Sequence, residues 1–269
     1  MGGVVVITGA SAGIGLACAA RLAGAGWTVV GASRRGSASA GWSGLVMDVD
    51  DDASVGAGVA EVLARHGRID AVVASAGWGL AGAVERTPVE EAKAQLETNF
   101  FGACRVVRAV LPAMRGAGAG RIVLMSSIGG VVAIPFQGYY SASKFALEGF
   151  GEALGYEVRP FGVSVTLVEP GNVRTDFTAN RRTASAHGPG DDDPYGGALD
   201  KAVTVMERDE ANGVDPSAVA AVVHKVLEAR RPPRRVSVGK AGERVGILAK
   251  RVLPQRLFEA AAKGALGVD

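Results

Sequence analysis

Tyr140 and Lys144 stand four residues apart in Tyr140-Ser141-Ala142-Ser143-Lys144. On a helix, residues at that spacing share a face, so a phenol and an ammonium can work on one bound group. The chemistry open to them is proton transfer. A free tyrosine titrates near ~10, and taking a proton from an alcohol near neutral pH needs a depression of about 3 units, or ~4 kcal/mol. A unit positive charge ~4 Å away at an effective dielectric of ~20 supplies ~4 kcal/mol. One lysine is therefore about sufficient, and a cationic ligand alongside would add to it. Run the other way, the neutral phenol donates to a developing alkoxide. Tyr139 sits ~140° round the helix from Lys144 and is the poorer partner.

Two further polar residues can serve the same chemistry. Ser127 ends an apolar run, and its hydroxyl can hold an oxygen beside Tyr140, whereas Ser126 points to the opposite strand face. Asn99 lies inside a long helical stretch that Pro88 opens, where asparagine is a mediocre helix former. Such a residue faces solvent, bonds backbone groups or holds a water that relays protons to Lys144.

Thr8-Gly9-Ala10-Ser11-Ala12-Gly13-Ile14-Gly15 follows a short apolar strand and opens a helix. Gly9, Gly13 and Gly15 let the backbone approach a ligand closely, and the helix N-terminus favours a pyrophosphate. The second strand ends at Ser33-Arg34-Arg35. An acid at that strand end would accept from the ribose hydroxyl of NAD. Here serine and two arginines suit the 2′-phosphate of NADP, so NADP(H) is expected over NAD(H). Asp48, followed by Val49, ends the third strand; its carboxylate can accept from an adenine amino group or simply lead the next helix.

These residues need a scaffold. Apolar runs at Val4–Ile7, Thr28–Ala32, Leu45–Met47, Ala71–Ala74, Arg121–Met125, Val163–Val168 and Arg235–Val238 alternate with helical stretches. That alternation predicts an α/β, doubly wound, Rossmann-type parallel sheet of seven strands with helices on both faces. With 269 residues and no linker, one domain over 1–269 is expected, with a substrate loop over 176–214 and a C-terminal helical extension over 240–269. Within the loop, 178–197 is rich in Gly, Pro, Ser and Asp and reads as a mobile lid or a disordered surface loop.

Composition narrows the function classes. A net charge of +2 gives no reason to expect a nucleic-acid partner. His66, His187 and His224 are scattered and form no ligand spacing with cysteines or carboxylates, so no metal is expected. Cys18 and Cys104 read as small buried apolar residues. No leader precedes Val4 and no apolar run reaches the ~18 residues of a membrane span, which predicts a cytoplasmic protein. From His224 onward there are 11 basic and 4 acidic side chains among spaced apolar residues. A helix packed on its own domain or a subunit partner is favoured over a membrane-surface segment, because Pro254 and Gly264 interrupt it.

In this order, the Gly-rich loop, Asn99, Ser127, Tyr140 and Lys144 resemble the short-chain dehydrogenase/reductase family, closely from Val4 to Thr175. The resemblance implies an oxidoreductase that interconverts a carbonyl and an alcohol. It implies a catalytic tetrad of Asn99, Ser127, Tyr140 and Lys144, with Lys144 also bonding the nicotinamide ribose. Pro170-Gly171 matches the family's Pro-Gly, and Val173 and Thr175 fall where the carboxamide and phosphates are contacted. The family's Asn-Ala-Gly reads Ser75-Ala76-Gly77 here, which implies slightly altered cofactor support. The basic residue that many NADP-using relatives carry before the second glycine is Ala12. The stretch around Tyr140 is similar to the 17β-hydroxysteroid and retinol dehydrogenase branch. That likeness implies a lipophilic ketone, aldehyde or alcohol as substrate, lined by Trp78, Ile128, Phe136, Val173, Phe177 and Tyr195. It also implies a homodimer or homotetramer through the helix after Pro88 and the Tyr140 helix. Two alternatives stay open: a 3-oxoacyl-carrier-protein reductase-like enzyme, against which the long stretch beyond Val238 counts, and a non-catalytic NADP-sensing protein.

Overall fold

The computed structural model describes residues 2–39, 41–187 and 194–259. Seven parallel strands form one sheet: β1 Val4–Thr8, β2 Thr28–Ser33, β3 Ser43–Val46, β4 Ala71–Ala74, β5 Gly120–Met125, β6 Val163–Pro170 and β7 Arg235–Val238. Their order is β3-β2-β1-β4-β5-β6-β7. The expected fold is therefore present, with each predicted strand within a few residues of its place.

The apolar runs lack alternation because both faces of the sheet are covered. Val4 and Val6 enter one core with Leu124 and Leu167, while Val5 and Ile7 enter the other with Val73 and Val123. Helices α2 (Asp52–His66), α4 (Gly102–Ala117) and α5 (Gly138–Glu157) cover the first face; α1 (Gly13–Gly24) and α7 (Pro216–Glu228) cover the second. Asp51 caps α2, accepting from the N–H groups of Ala53 and Ser54 at 2.7 and 3.3 Å.

The direction of the sheet crossovers reverses between β1 and β4. In such sheets the strands' C-terminal ends open there into a crevice, and ligands occupy it. The segments after β1, β4, β5 and β6 carry most of the candidate site.

Three elements depart from the sequence reading. The helix after Pro88 is not one helix: α3 (Val89–Leu96) and α4 are joined by a π-helical turn, Glu97–Phe101. Much of the expected substrate loop is helix α6, Gly196–Ala211. Its Leu199 and Ala202 are buried. Nor is the preceding segment free, because Arg182–Thr183 pairs with Leu80–Ala81 as a short parallel ladder. Asp191, Asp192 and Asp193 lie outside the described residues.

The extension begins with α8, Ala241–Val252. It packs through Ile247 and leaves Val245, Leu248 and Val252 exposed. Lys263 and Gly264 lie outside the described residues. Among those described, no helix is long and apolar enough to cross a membrane.

Candidate active site

The Gly-rich loop is a cradle with no room for side chains. A Cβ on Gly15 would lie 2.3 Å from the Gly9 carbonyl oxygen, and one on Gly9 would lie 2.9 Å from Ala76 Cα. Gly9 and Gly13 have φ of +68° and +53°, where glycine is favoured. No side chain caps α1 and its first turn carries no acid, so its N–H groups stay open to an anion. Thr8 braces the loop: its hydroxyl accepts from the N–H groups of Ser75 and Ala76 at 3.0 and 3.2 Å. Ser75 thus joins this brace through its backbone, a role that its side chain does not decide.

One cleft of about 590 Å³ collects nearly all the candidate residues. Its phosphate end has Gly9, Ser11, Gly13, Ile14 and Gly15, with Thr175 next to Gly13, and Pro170, Gly171 and Val173 line it too. Ser33, Arg34, Arg35, Asp48 and Val49 line one end, and Ser75, Ala76 and Gly77 the floor. Ser33 is buried, while Arg34 and Arg35 are exposed at the rim. These residues fit a dinucleotide: a cradle without Cβ atoms, an open helix N-terminus and a polar end beside β2.

Asn99, Ser127, Tyr140 and Lys144 line the same cleft, and all four are buried. Ser127 accepts from the Gly129 N–H at 3.0 Å, which fixes its hydroxyl. It also lies beside the Tyr140 phenol and draws it downward. Gly129 makes that approach possible, since a Cβ there would lie 3.1 Å from Tyr140 Cε1.

Lys144 lies behind the phenol, 5.8 Å from the ring centre, and donates to the Met125 carbonyl at 2.9 Å. Burial pushes the Tyr140 phenol up to about 12, against a smaller downward pull from Ser127. Burial also pushes the Lys144 ammonium down to about 8, although Glu148 opposes it. The depression expected from Lys144 is not met: burial is the largest influence on the phenol, and the Lys144 charge is not among the groups that act on it.

Asn99 lies in the π turn, and it bonds backbone groups. Its Oδ1 accepts from the Trp78 N–H at 3.0 Å and its Nδ2 donates to the Trp78 carbonyl at 3.0 Å. It donates also to Ser143 Oγ at 3.3 Å. Gln95 Nε2 donates to the same Trp78 carbonyl at 2.8 Å, and Trp78 Nε1 donates to Thr98. The π turn thus fixes Trp78 as a wall of the cleft, and such turns recur at functional sites.

Of the expected substrate-lining residues, Trp78, Ile128, Val173 and Phe177 line the cleft. Phe177 packs edge-on against Tyr140, centroids 5.7 Å apart. Phe136 and Tyr195 do not line it. Phe136 has φ of 58°, a turn conformation, and the cleft takes its neighbours Ile134 and Gln137 instead. Tyr195 donates to Glu85 at 2.6 Å, outside the cleft.

Sequence reasoning missed Gln137, Asp50, Asn172 and Glu210, which line the cleft, and Glu243, which supports it. Glu243 reaches from α8 to accept from the Asn172 N–H at 2.9 Å, tying the extension to the segment after β6. Glu210 faces the cleft from α6; only the spacing of Leu199, Ala202, Val203 and Met206 in sequence could have revealed that helix. Cys18 and Cys104 are free cysteines, pushed up to about 12 and about 11 by burial, which holds both in the thiol form at neutral pH. Cys104 is only half-buried. No cluster of potential metal ligands occurs among the described residues.

A model of the short chain dehydrogenase family matches residues 3–186. The chain belongs to that family. A 3-ketodihydrosphingosine reductase from Bacteroides thetaiotaomicron is 40% identical over 261 residues, covering 97% of this chain and 96% of its own. A short-chain dehydrogenase structure from Streptomyces avermitilis superposes with a TM-score of 0.81 at 31% identity, covering 97% of each chain. A short-chain dehydrogenase/reductase from Burkholderia phymatum, in complex with NAD, superposes with a TM-score of 0.79 at 25% identity. It covers 97% of this chain and 95% of its own. This short-chain dehydrogenase is thus an oxidoreductase whose cleft fits a nicotinamide dinucleotide.

Proposed function

We propose that the chain is an NADP(H)-dependent reductase that interconverts a lipophilic ketone or aldehyde and its alcohol, with Tyr140 as general acid and base. The observation that carries this is the buried trio lining one cleft: Tyr140 with Ser127 beside it and Lys144 behind it. The dinucleotide supplies or takes the hydride. Ser127 and Tyr140 hold the carbonyl oxygen, and Tyr140 gives it the proton. Lys144 stabilises the phenolate left behind and hydrogen-bonds the nicotinamide ribose. Asn99 is a positioning residue that acts through Trp78. Burial keeps the phenol protonated at neutral pH, the form that donates when a carbonyl is reduced.

Trp78, Ile128, Ile134, Val173 and Phe177 give the substrate end an apolar lining. The Bacteroides relative makes 3-ketodihydrosphingosine, a long-chain ketone, the first substrate to assay. NADPH consumption with this compound, beside simple ketones and aldehydes, tests the reading. Inactivity on all of them with either dinucleotide, in a folded sample, would overturn it.

NADP preference rests on Ser33, Arg34 and Arg35 at the cleft's end. Ser33→Asp combined with Arg34→Ala should lower the NADP-to-NAD ratio of kcat/KM by about 100-fold, the worth of one lost charge-assisted bond plus a new repulsion. An unmoved ratio removes the assignment. We also infer a cytoplasmic homodimer or homotetramer through α4 and α5, whose Phe101 flank and Phe145 are exposed apolar rings. Sedimentation of a Phe145→Glu variant as a smaller species than wild type is the expected result; identical sedimentation would exclude that surface.

A further inference from the structure

Two polar groups in the substrate half of the cleft take no part in the chemistry above. Glu210 lines the cleft from α6 with a side chain only 12% exposed. Its carboxylate is held by Arg181, and its Oε2 accepts from the Thr178 hydroxyl at 2.5 Å. Arg181 is the more deeply buried partner, at 4% exposed, and does not line the cleft. The anion therefore lines the cavity while its counter-ion does not, and the lining cation Arg182 is stacked on the Trp78 ring at 4.3 Å. A carboxylate has about four lone-pair sites, so these two partners leave acceptor capacity.

Glu210 and Arg181 both lie near enough to the reacting phenol to act on it, the carboxylate opposing its ionisation and the guanidinium favouring it. Phe177, one residue before Thr178, packs on the Tyr140 ring. The second group is Gln137. It immediately precedes α5, is 3% exposed and lines the same cleft. Its Nε2 is buried with no hydrogen-bond partner. A buried donor without a partner is costly unless a ligand meets it.

We propose that Glu210 and Gln137 form a polar subsite that recognises an ammonium and a hydroxyl carried next to the reacting carbonyl. Glu210 takes the ammonium and Gln137 Nε2 donates to the hydroxyl oxygen. The substrate class is then the α-amino ketone with a neighbouring hydroxyl, its alkyl remainder lying against Trp78, Ile134 and Phe177. This deepens the ketone-reductase reading and rests on it. Arg181 and Thr178 are positioning residues for Glu210.

The test compares two water-soluble ketones of matched length, one with an ammonium on the carbon beside the carbonyl and one without. Wild type should prefer the amino ketone. Glu210→Gln, which keeps the shape and a hydrogen-bonding end, should lower that preference, as a ratio of kcat/KM, about 30-fold, the worth of a hydrogen bond to a charged group. Gln137→Leu should lower the preference for a hydroxyl-bearing ketone over its deoxy analogue about 5-fold, as for a neutral hydrogen bond.

If Glu210 only latches α6 to the segment before it, both ketones suffer equally and the unmoved ratio overturns the proposal. Binding of a short 2-amino-1,3-diol, measured by calorimetry, separates this failure from failure of the reductase reading. Weaker binding to Glu210→Gln than to wild type upholds the subsite even if no ketone is turned over. Equal binding to both abolishes it.

Discussion

Tyr140→Phe should lower kcat for ketone reduction by about 10³-fold, within the range that a positioned general acid supplies. The variant removes one oxygen atom. The ring contact with Phe177 survives, and what is lost is at most one hydrogen bond, to the neighbouring Ser127. Loss of one such bond costs about 1 kcal/mol of stability, too little to unfold an ordinary domain. Dinucleotide binding should therefore persist, because the Gly-rich cradle is untouched. Single-turnover kinetics beside a dinucleotide titration is the decisive pair of measurements. Turnover surviving at the wild-type rate, in a folded sample that binds dinucleotide, would end the proton-donor role.

Lys144→Met should lower kcat/KM for the ketone by about 10²-fold or more, since it removes both a ribose contact and the charge that stabilises the phenolate. The wild type should carry an alkaline limb that reports this charge. Lys144 is held at about 8 by burial, below its ordinary 10.5, so its charge is present at pH 7 and is lost as pH rises through about 8. Tyr140 keeps its proton until about 12. The first loss of activity above neutrality is therefore assigned to the amine and not to the phenol. Lys144→Arg stays charged throughout that range. Whatever its absolute rate, its profile should run flat where the wild type declines. A decline near pH 8 that persists in Lys144→Arg would point to a different group.

Much of this site was legible in the sequence because its signals are local. Gly9, Gly13 and Gly15 mark a backbone that needs room, and Tyr140 and Lys144 are paired by helix geometry alone. The strands were legible because residues buried on both faces leave unbroken apolar runs. What was lost depends on direction or distance. An aromatic side chain such as Phe136 or Tyr195 announces burial but not the wall it joins. Phe136 was turned aside by its own left-handed backbone, and Tyr195 found Glu85 instead. Glu210 and Glu243 reach the cleft from helices late in the chain. No short-range pattern connects them to Tyr140 or Asn172. The phenol differs from the sequence reading for a related reason: spacing gave the separation along a helix but not the burial of the phenol, which pushes it up.

The π turn has a consequence for chain length. It holds one residue more than an α-helical turn would, and that surplus lets Asn99 face Trp78 while α3 and α4 keep their own packing. Deleting a single residue between Glu97 and Phe101 would let the wide turn close to an ordinary α-helical one, so α3 and α4 would keep their faces while the bulge that presents Asn99 to Trp78 is lost. Asn99 would then lose its position against the Trp78 backbone. At this place the count of residues is as strictly constrained as their identity, and a shortening that preserved every side chain's type would still disable the wall of the cleft.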